Sequence, residues 1–223
     1  MTHLEEALKQ MRGSVSEMAK LVNRQISKAI DALINRDEDL ANEVIYQEKR
    51  VNGYELKIDE ECEHIFALFN PVAQDMRLVF ASLKINSDLE RIGDYAEGIA
   101  KLVILGKKEF DNQLVEKIEL NRMYDIAYAM LNNVITAYCE DDSKLARSVF
   151  SSDLQLNDIN HNASQIVIDY CRDNPDKIGQ ALYLLSIIRK LERVGDHITN
   201  IAEDIIFYKD AKKLKHGDKT ERP

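Results

Sequence analysis

The sequence predicts an all-α protein of six long helices, built as two tandem three-helix bundles. Three observations predict this class. Only 8 Gly and 3 Pro occur in 223 residues, too few chain breakers for a strand-and-turn architecture. Apolar residues recur in alternating steps of three and four, as in Leu78, Ala81, Ile85, Leu89, Ile92, Ala96, Ile99 and Val103; that is the spacing of one helix face. The string Leu89-Glu90-Arg91-Ile92-Gly93-Asp94 returns 102 residues later as Leu191-Glu192-Arg193-Val194-Gly195-Asp196, which marks an internal repeat.

In chain order, helices are expected near 4–35, 38–69, 72–105, 113–140, 142–171 and 176–212. Asp37-Glu38-Asp39 gives the second an acidic start, and Glu140-Asp141-Asp142 marks the matching break in the second half. Asn70-Pro71 and Asn174-Pro175 each precede the last helix of a half. Asn is a good N-cap and Pro is pre-organised for the first helical position, so each dipeptide is expected to open that helix. Gly106-Lys107-Lys108 closes the first half.

The repeat extends beyond the third helix. Glu48, Val51, Asn52 and Glu55 align with Asp153, Leu156, Asn157 and Asn160 at an offset of 105. At the same offset Val15, Met18, Ile30 and Leu40 align with Leu120, Met123, Ile135 and Leu145. Short links make each unit run up, down and up. The expected organisation is a first repeat over 1–107, a second over 108–213 and a basic polar tail over 214–223.

Composition narrows the function classes. Hydrophobic residues make up 45% and charged residues 31%, enough apolar material for a core. The net charge of -9 and pI near 5.1 repel phosphate backbones, so nucleic acid is not an expected partner. Cys62, Cys139 and Cys171 are odd in number and widely spaced, which fits neither a disulfide framework nor a thiolate metal site. A reducing cytoplasm is expected. Glu5 and Glu6 stand where a signal peptide would need apolar residues. The longest apolar run, Ala181 to Ile188, meets Arg189 and Lys190 at once and is too short to insert in a membrane. With no Gly-rich phosphate loop, no Gly-x-Ser-x-Gly and no legible nucleophile–base pair, an enzyme is not expected.

The residues that could carry chemistry are acidic. Glu90 and Asp94, four apart, lie one above the other on a helix face, and Glu97 extends the line. Like charges at this spacing cost a helix about 0.2–0.5 kcal/mol. The positions three and four residues from Glu90 hold Asn86, Ser87, Gly93 and Asp94, none of them basic, and Asp94 has only Arg91. The pair recurs as Glu192 and Asp196. A bound cation would offset this repulsion; Arg91, Arg189 and Arg193 offer a metal-free alternative.

The second helix supplies a complementary row: Glu48, Asn52, Glu55 and Asp59, matched by Asp153, Asn157, Asn160 and Ser164. If this row faces the acidic pair, hard oxygen donors converge, a set suited to iron, manganese or magnesium. Gly93 and Gly195 cost about 0.8–1.0 kcal/mol each inside a helix, which points to close approach by a neighbouring helix. Glu61-Cys62-Glu63-His64 contains one Glu-x-x-His that the repeat does not copy. His197 stands where the first repeat has Tyr95.

With its duplicated Leu-Glu-Arg-Ile/Val-Gly-Asp string, the chain resembles the PhoU family of phosphate-transport regulators over essentially its whole length. The resemblance implies a cytoplasmic, often dimeric protein that can hold multinuclear iron or zinc clusters on this acidic surface. It further implies negative regulation of phosphate uptake and phosphate-starvation signalling, through contacts with the ATPase subunit of a phosphate ABC transporter and with a sensor histidine kinase. Glu90, Asp94, Glu192 and Asp196 match the family signature. Glu48, Asn52, Asp153 and Asn157 are a looser match, and Glu55 and Glu97 join them as further candidate ligands. The family often carries Asn four residues past the Asp. Asn200 fits that pattern and Gly98 does not, so the first site is expected to hold its ions more weakly or in different number. Two other readings compete: a carboxylate-bridged metalloenzyme and a metal-free helical scaffold.

Overall fold

Thr2 and Glu5 start the first helix by exchanging two bonds. Thr2 Oγ1 accepts from the Glu5 N–H at 3.2 Å, and Glu5 Oε2 accepts from the Thr2 N–H at 2.8 Å. The computed structural model describes residues 2–106 and 110–211. Within them lie α1 (His3–Asn35), α2 (Glu38–Phe69), α3 (Ala73–Leu105), α4 (Asn112–Lys117), α5 (Leu120–Glu140), α6 (Ser143–Asp173), a 3₁₀ turn (Pro175–Lys177) and α7 (Ile178–Asp210). No strand occurs among the described residues.

Acidic punctuation works as the sequence implies. Asp37 caps α2 by accepting from the Leu40 N–H at 2.9 Å. Asp142 caps α6 by accepting from the Lys144 and Leu145 N–H groups. Two expectations need correction. Asn70 does not open α3 but closes α2 in the left-handed region, with φ 44°, a conformation its short polar side chain tolerates. The helix expected over 113–140 breaks at Ile118-Glu119, where Glu119 takes φ 54°. The break buries Leu114 and Ile118, each 1% exposed, and turns the short α4 onto α5 and α6. Asp111 anchors it, accepting from Tyr170 Oη at 2.7 Å and Lys177 Nζ at 2.8 Å. Asn174-Pro175 is closer to expectation: Pro175 is the first residue of the 3₁₀ turn that leads into α7. The 107/108 boundary and the tail over 214–223 lie outside the described residues.

Helices α1, α2 and α3 pack on one another, as do α5, α6 and α7. The two units meet along α3 against α7, with α1 against α5 beside it, so α2 and α6 occupy the outer flanks. The whole predicted stripe from Leu78 to Val103 is buried. Helices α3 and α7 run antiparallel: Lys84 meets Asp204 at 2.8 Å, and Asp88 meets His197 at 2.7 Å. Arg12 ties the units together at one end, donating to Asp141 Oδ1 at 2.8 Å and to the Tyr138 carbonyl at 2.5 Å. Tyr208 Oη donates to the same Asp141 oxygen at 2.8 Å. Among the described residues no helix is long and apolar enough to cross a membrane.

Candidate functional site

The missing side chain of Gly93 leaves a slot in α3, and Glu48 of α2 fills it. A Cβ at Gly93 would lie 3.1 Å from Glu48 Oε2 and 3.2 Å from Val51 Cγ1. The second repeat copies the arrangement: a Cβ at Gly195 would lie 2.5 Å from Leu156 Cδ1 and 3.2 Å from Asp153 Oδ1. The close approach implied by these glycines is therefore that of the preceding helix. It brings one buried carboxylate in each repeat, Glu48 or Asp153, each 6% exposed, up to the signature helix.

The carboxyl of Glu48 has incomplete support. Oε2 accepts from Gln25 Nε2 at 3.1 Å, while the buried Oε1 has no hydrogen-bond partner. Burial pushes its pKa up to about 7; Gln25 opposes the shift, and Asp94, Glu97 and Glu90 add to it. Glu48 of α2 thus faces the acidic row of α3. Glu90 is also raised, by burial and then by Asp94, with Arg91 opposing and Glu55 and His197 within electrostatic reach. Glu192 is raised by burial and Asp196, with Arg193 opposing and Asp153 adding.

The arginines engage both pairs in the same way. Arg91 Nη1 lies 3.2 Å from Asp94 Oδ2 and Nε 3.6 Å from Glu90 Oε2. Arg193 lies 3.2 Å from Asp196 and 3.7 Å from Glu192. The contact to Glu90 comes sideways from the very next residue, not from the positions three and four residues away. Glu97 pairs with Lys101 at 2.5 Å. Among the described residues, no group of three or more His, Cys, Asp or Glu side chains is gathered in ligating proximity.

The donors are carboxylate oxygens, the type that hard cations take. The Arg91 and Arg193 side chains are 58% and 61% exposed, and pairs of that kind contribute only about 0.2–1 kcal/mol. They are weak competitors for the carboxylates. The orphaned buried oxygen of Glu48 is the feature an added positive charge would relieve.

The remaining candidates are dispersed. Asn52 and Asn157 are exposed on the outer edges of their helices, and Asn157 Nδ2 donates to Asp153 Oδ2 at 3.2 Å. Glu55 is half-buried beside Glu90. Asp59 accepts from Asn86 Nδ2 at 3.0 Å. Asn200 turns across the seam and donates to Asp88 Oδ1 at 3.2 Å. His197 bonds that same oxygen and lies over Tyr95, ring centres 5.7 Å apart. The lone Glu-x-x-His is occupied otherwise: Glu61 accepts from Gln10 and Ser14, each at 3.1 Å, and His64 packs edge-on to Phe69.

The PhoU domain model matches the chain twice, over residues 15–103 and 120–205. The chain belongs to the PhoU family. The first PhoU match runs from within α1 to within α3; the second begins with α5 and ends within α7, leaving α4 between them. The Escherichia coli K12 phosphate-specific transport system accessory protein PhoU is 32% identical over 217 residues, 96% of this chain and 89% of that protein. The Aquifex aeolicus PhoU homolog is 33% identical over 209 residues, 94% of each. The crystal structure of PhoU from Pseudomonas aeruginosa superposes with a TM-score of 0.86 at 31% identity, covering 94% of this chain and 100% of that one. The phosphate transport system regulatory protein PhoU from Streptococcus pneumoniae gives 0.87 at 30% identity, covering 96% and 100%.

Proposed function

We propose that this chain is an accessory protein of a phosphate-specific transport system that restrains phosphate uptake and phosphate-starvation signalling. The observation that carries the reading is the double PhoU match in a chain that aligns nearly end to end with relatives named for that system. In this reading the protein works in the cytoplasm as a homodimer. It acts as an adaptor between the ATPase subunit of the phosphate transporter and a sensor histidine kinase, and catalyses no reaction of its own. A surface made of long helix faces supports a docking role.

The acidic rows hold metal ions in the same reading, with iron or zinc as the leading candidates and magnesium or manganese as alternatives. Glu90, Asp94 and Glu48 would serve the first repeat, and Glu192, Asp196 and Asp153 the second. A bound cation would supply the charge that the row around Glu48 lacks. The Arg91 and Arg193 contacts favour a second reading, a metal-free scaffold in which arginines alone neutralise the rows.

Two measurements test these readings. Deleting the gene should derepress alkaline phosphatase at high phosphate; normal repression would refute the regulatory role. Elemental analysis of protein purified without chelator should find metal, and Glu90→Gln with Asp94→Asn should remove the first-repeat share alone. Metal content unchanged by that double substitution would refute the assignment, and absence of metal from the parent would leave the scaffold.

A further inference from the structure

Both signature helices hold apolar side chains in water at matching places. On α3 a solvent-facing strip, stepping by three and four residues, starts with Met76 and Phe80 and ends with Leu105. At the repeat offset of 102, the strip on α7 starts with Ile178 and Leu182 and ends with Phe207. Met76, Phe80, Leu105, Ile178 and Leu182 are between 41% and 61% exposed, and Phe207 is half-buried. Arg77 Nε donates to the Tyr208 carbonyl at 3.4 Å, so the start of α3 lies beside the end of α7. The face formed by the two helices therefore carries an apolar patch at each end: Met76, Phe80 and Phe207 at one, Ile178, Leu182 and Leu105 at the other.

Between the patches the charge changes sign along the seam. One turn on from Phe80, residues Lys84, Ser87, Asp88, Asn200, Glu203 and Asp204 line an open cleft of about 360 Å³. Three carboxylates to one ammonium make this end acidic. The equivalent positions at the other end hold Ser186, Arg189, Lys190, Gly98, Lys101 and Leu102, three bases and no acid. Lys190 lies against Gly98, its Nζ 2.8 Å from where a Cβ would stand, and Arg189 next to it is exposed. Lys101 pairs with Glu97, and Arg189 and Lys190 keep this end basic.

We infer that the α3/α7 face is a homodimer interface, on which a second copy lies with the acidic end of each chain over the basic end of the other. This rests on the homodimer of the reading above. Two copies stacked face to face can share a two-fold axis that runs along the seam or one that runs across it. The first sets acid against acid and base against base. The second sets acid against base twice, and each Met76–Phe80 patch against an Ile178–Leu182 patch. The strip from Met76 to Leu105 is about 44 Å long and two helices are about 20 Å wide. That face of roughly 900 Å² is close to the roughly 800 Å² per partner of a standard interface.

Sedimentation velocity over a dilution series reads the dissociation constant, with the parent expected at twice its 25.6 kDa mass. Phe80→Asp and Leu182→Asp, each placed in two contacts by the two-fold, should each weaken the dimer about a hundredfold or more. Phe80 also packs on Phe66, ring centres 5.0 Å apart, so Leu182→Asp and Arg189→Glu carry the test where the Phe80 variant fails to fold. Arg189→Glu and Glu203→Arg should each weaken the dimer about tenfold. Mixed together, those two variants should recover the parent's affinity, because one contact keeps the original acid and base and the other has them exchanged. A parent dimer unmoved by Leu182→Asp, or a mixture no tighter than its components, overturns this interface and leaves the homodimer on another face. A parent that stays monomeric overturns the homodimer itself, and this inference with it.

Discussion

Alanine at Gly195 should destabilise the protein, although alanine is the better helix former. In a helix interior the exchange gains about 0.8–1.0 kcal/mol. At Gly195 the new methyl would stand 2.5 Å from Leu156 Cδ1 and 3.2 Å from Asp153 Oδ1. Leu156 is fully buried, so its side chain must leave its place in a packed core, at about 1–3 kcal/mol. The net change is a loss of roughly 0–2 kcal/mol. Gly53 gives the matched control: it lies within α2, is exposed, and has nothing within 4 Å of an added Cβ. Gly53→Ala should keep the whole helical gain. The two variants should therefore differ by about 1–3 kcal/mol, or roughly 2–12 °C in melting temperature for a chain of this size. Urea and thermal unfolding in chelator would measure the gap without any contribution from bound ions. A Gly195→Ala protein as stable as Gly53→Ala would show that α6 and α7 are not locked together at this contact.

Other expectations concern charge. The pKa of Glu48, raised to about 7, means that the folded protein holds a proton that the unfolded chain releases near the ordinary value of 4.5. Stability should fall as pH rises between those values, by up to about 3 kcal/mol from this group. Glu48→Gln should make that decline shallower and stabilise the chelated protein at pH 8, while at pH 4 the two should be nearly equal. Identical pH profiles by urea unfolding would refute the assignment. Arg12→Ala removes bonds to Asp141 and to the Tyr138 and Cys139 carbonyls and should cost about 2 kcal/mol. Unfolding midpoints would measure the loss, and an unchanged midpoint would show that the α1–α5 contact holds without it.

Helices and their buried faces were legible because the 3.6-residue period is a local signal, and the stripe from Leu78 to Val103 carries it without interruption. A close helix neighbour at each signature helix was legible through cost, since a repeated glycine in mid-helix needs one to justify it; that the neighbour is the preceding helix was not. The break at Ile118-Glu119 was not. Neither residue is a breaker, and the turn exists because Leu114 and Ile118 gain burial, a tertiary effect with no sequence period. Asn70 takes the opposite end of the link from the one its N-cap preference implies, because the same residue type suits an N-cap and a left-handed C-cap. Of the candidate ligands, Glu48 stands against Gly93, within electrostatic reach of Glu90, Asp94 and Glu97. Asn200 was read along its own helix, whereas its bond runs across the seam to Asp88. Aligning the repeats at an offset of 102 matches position 88 with 190, acid against base, and that contrast was the available clue to the crossing contacts.

The fit of Glu48 into the slot at Gly93 also bears on motion. A shift of α2 along α3 by one turn, about 5.4 Å, would carry the carboxyl to Leu89 or Glu97, where a side chain stands in the way. A tooth seated in a single notch forbids that kind of sliding. Within each three-helix body the buried carboxyl is thereby held in one register against the acidic row.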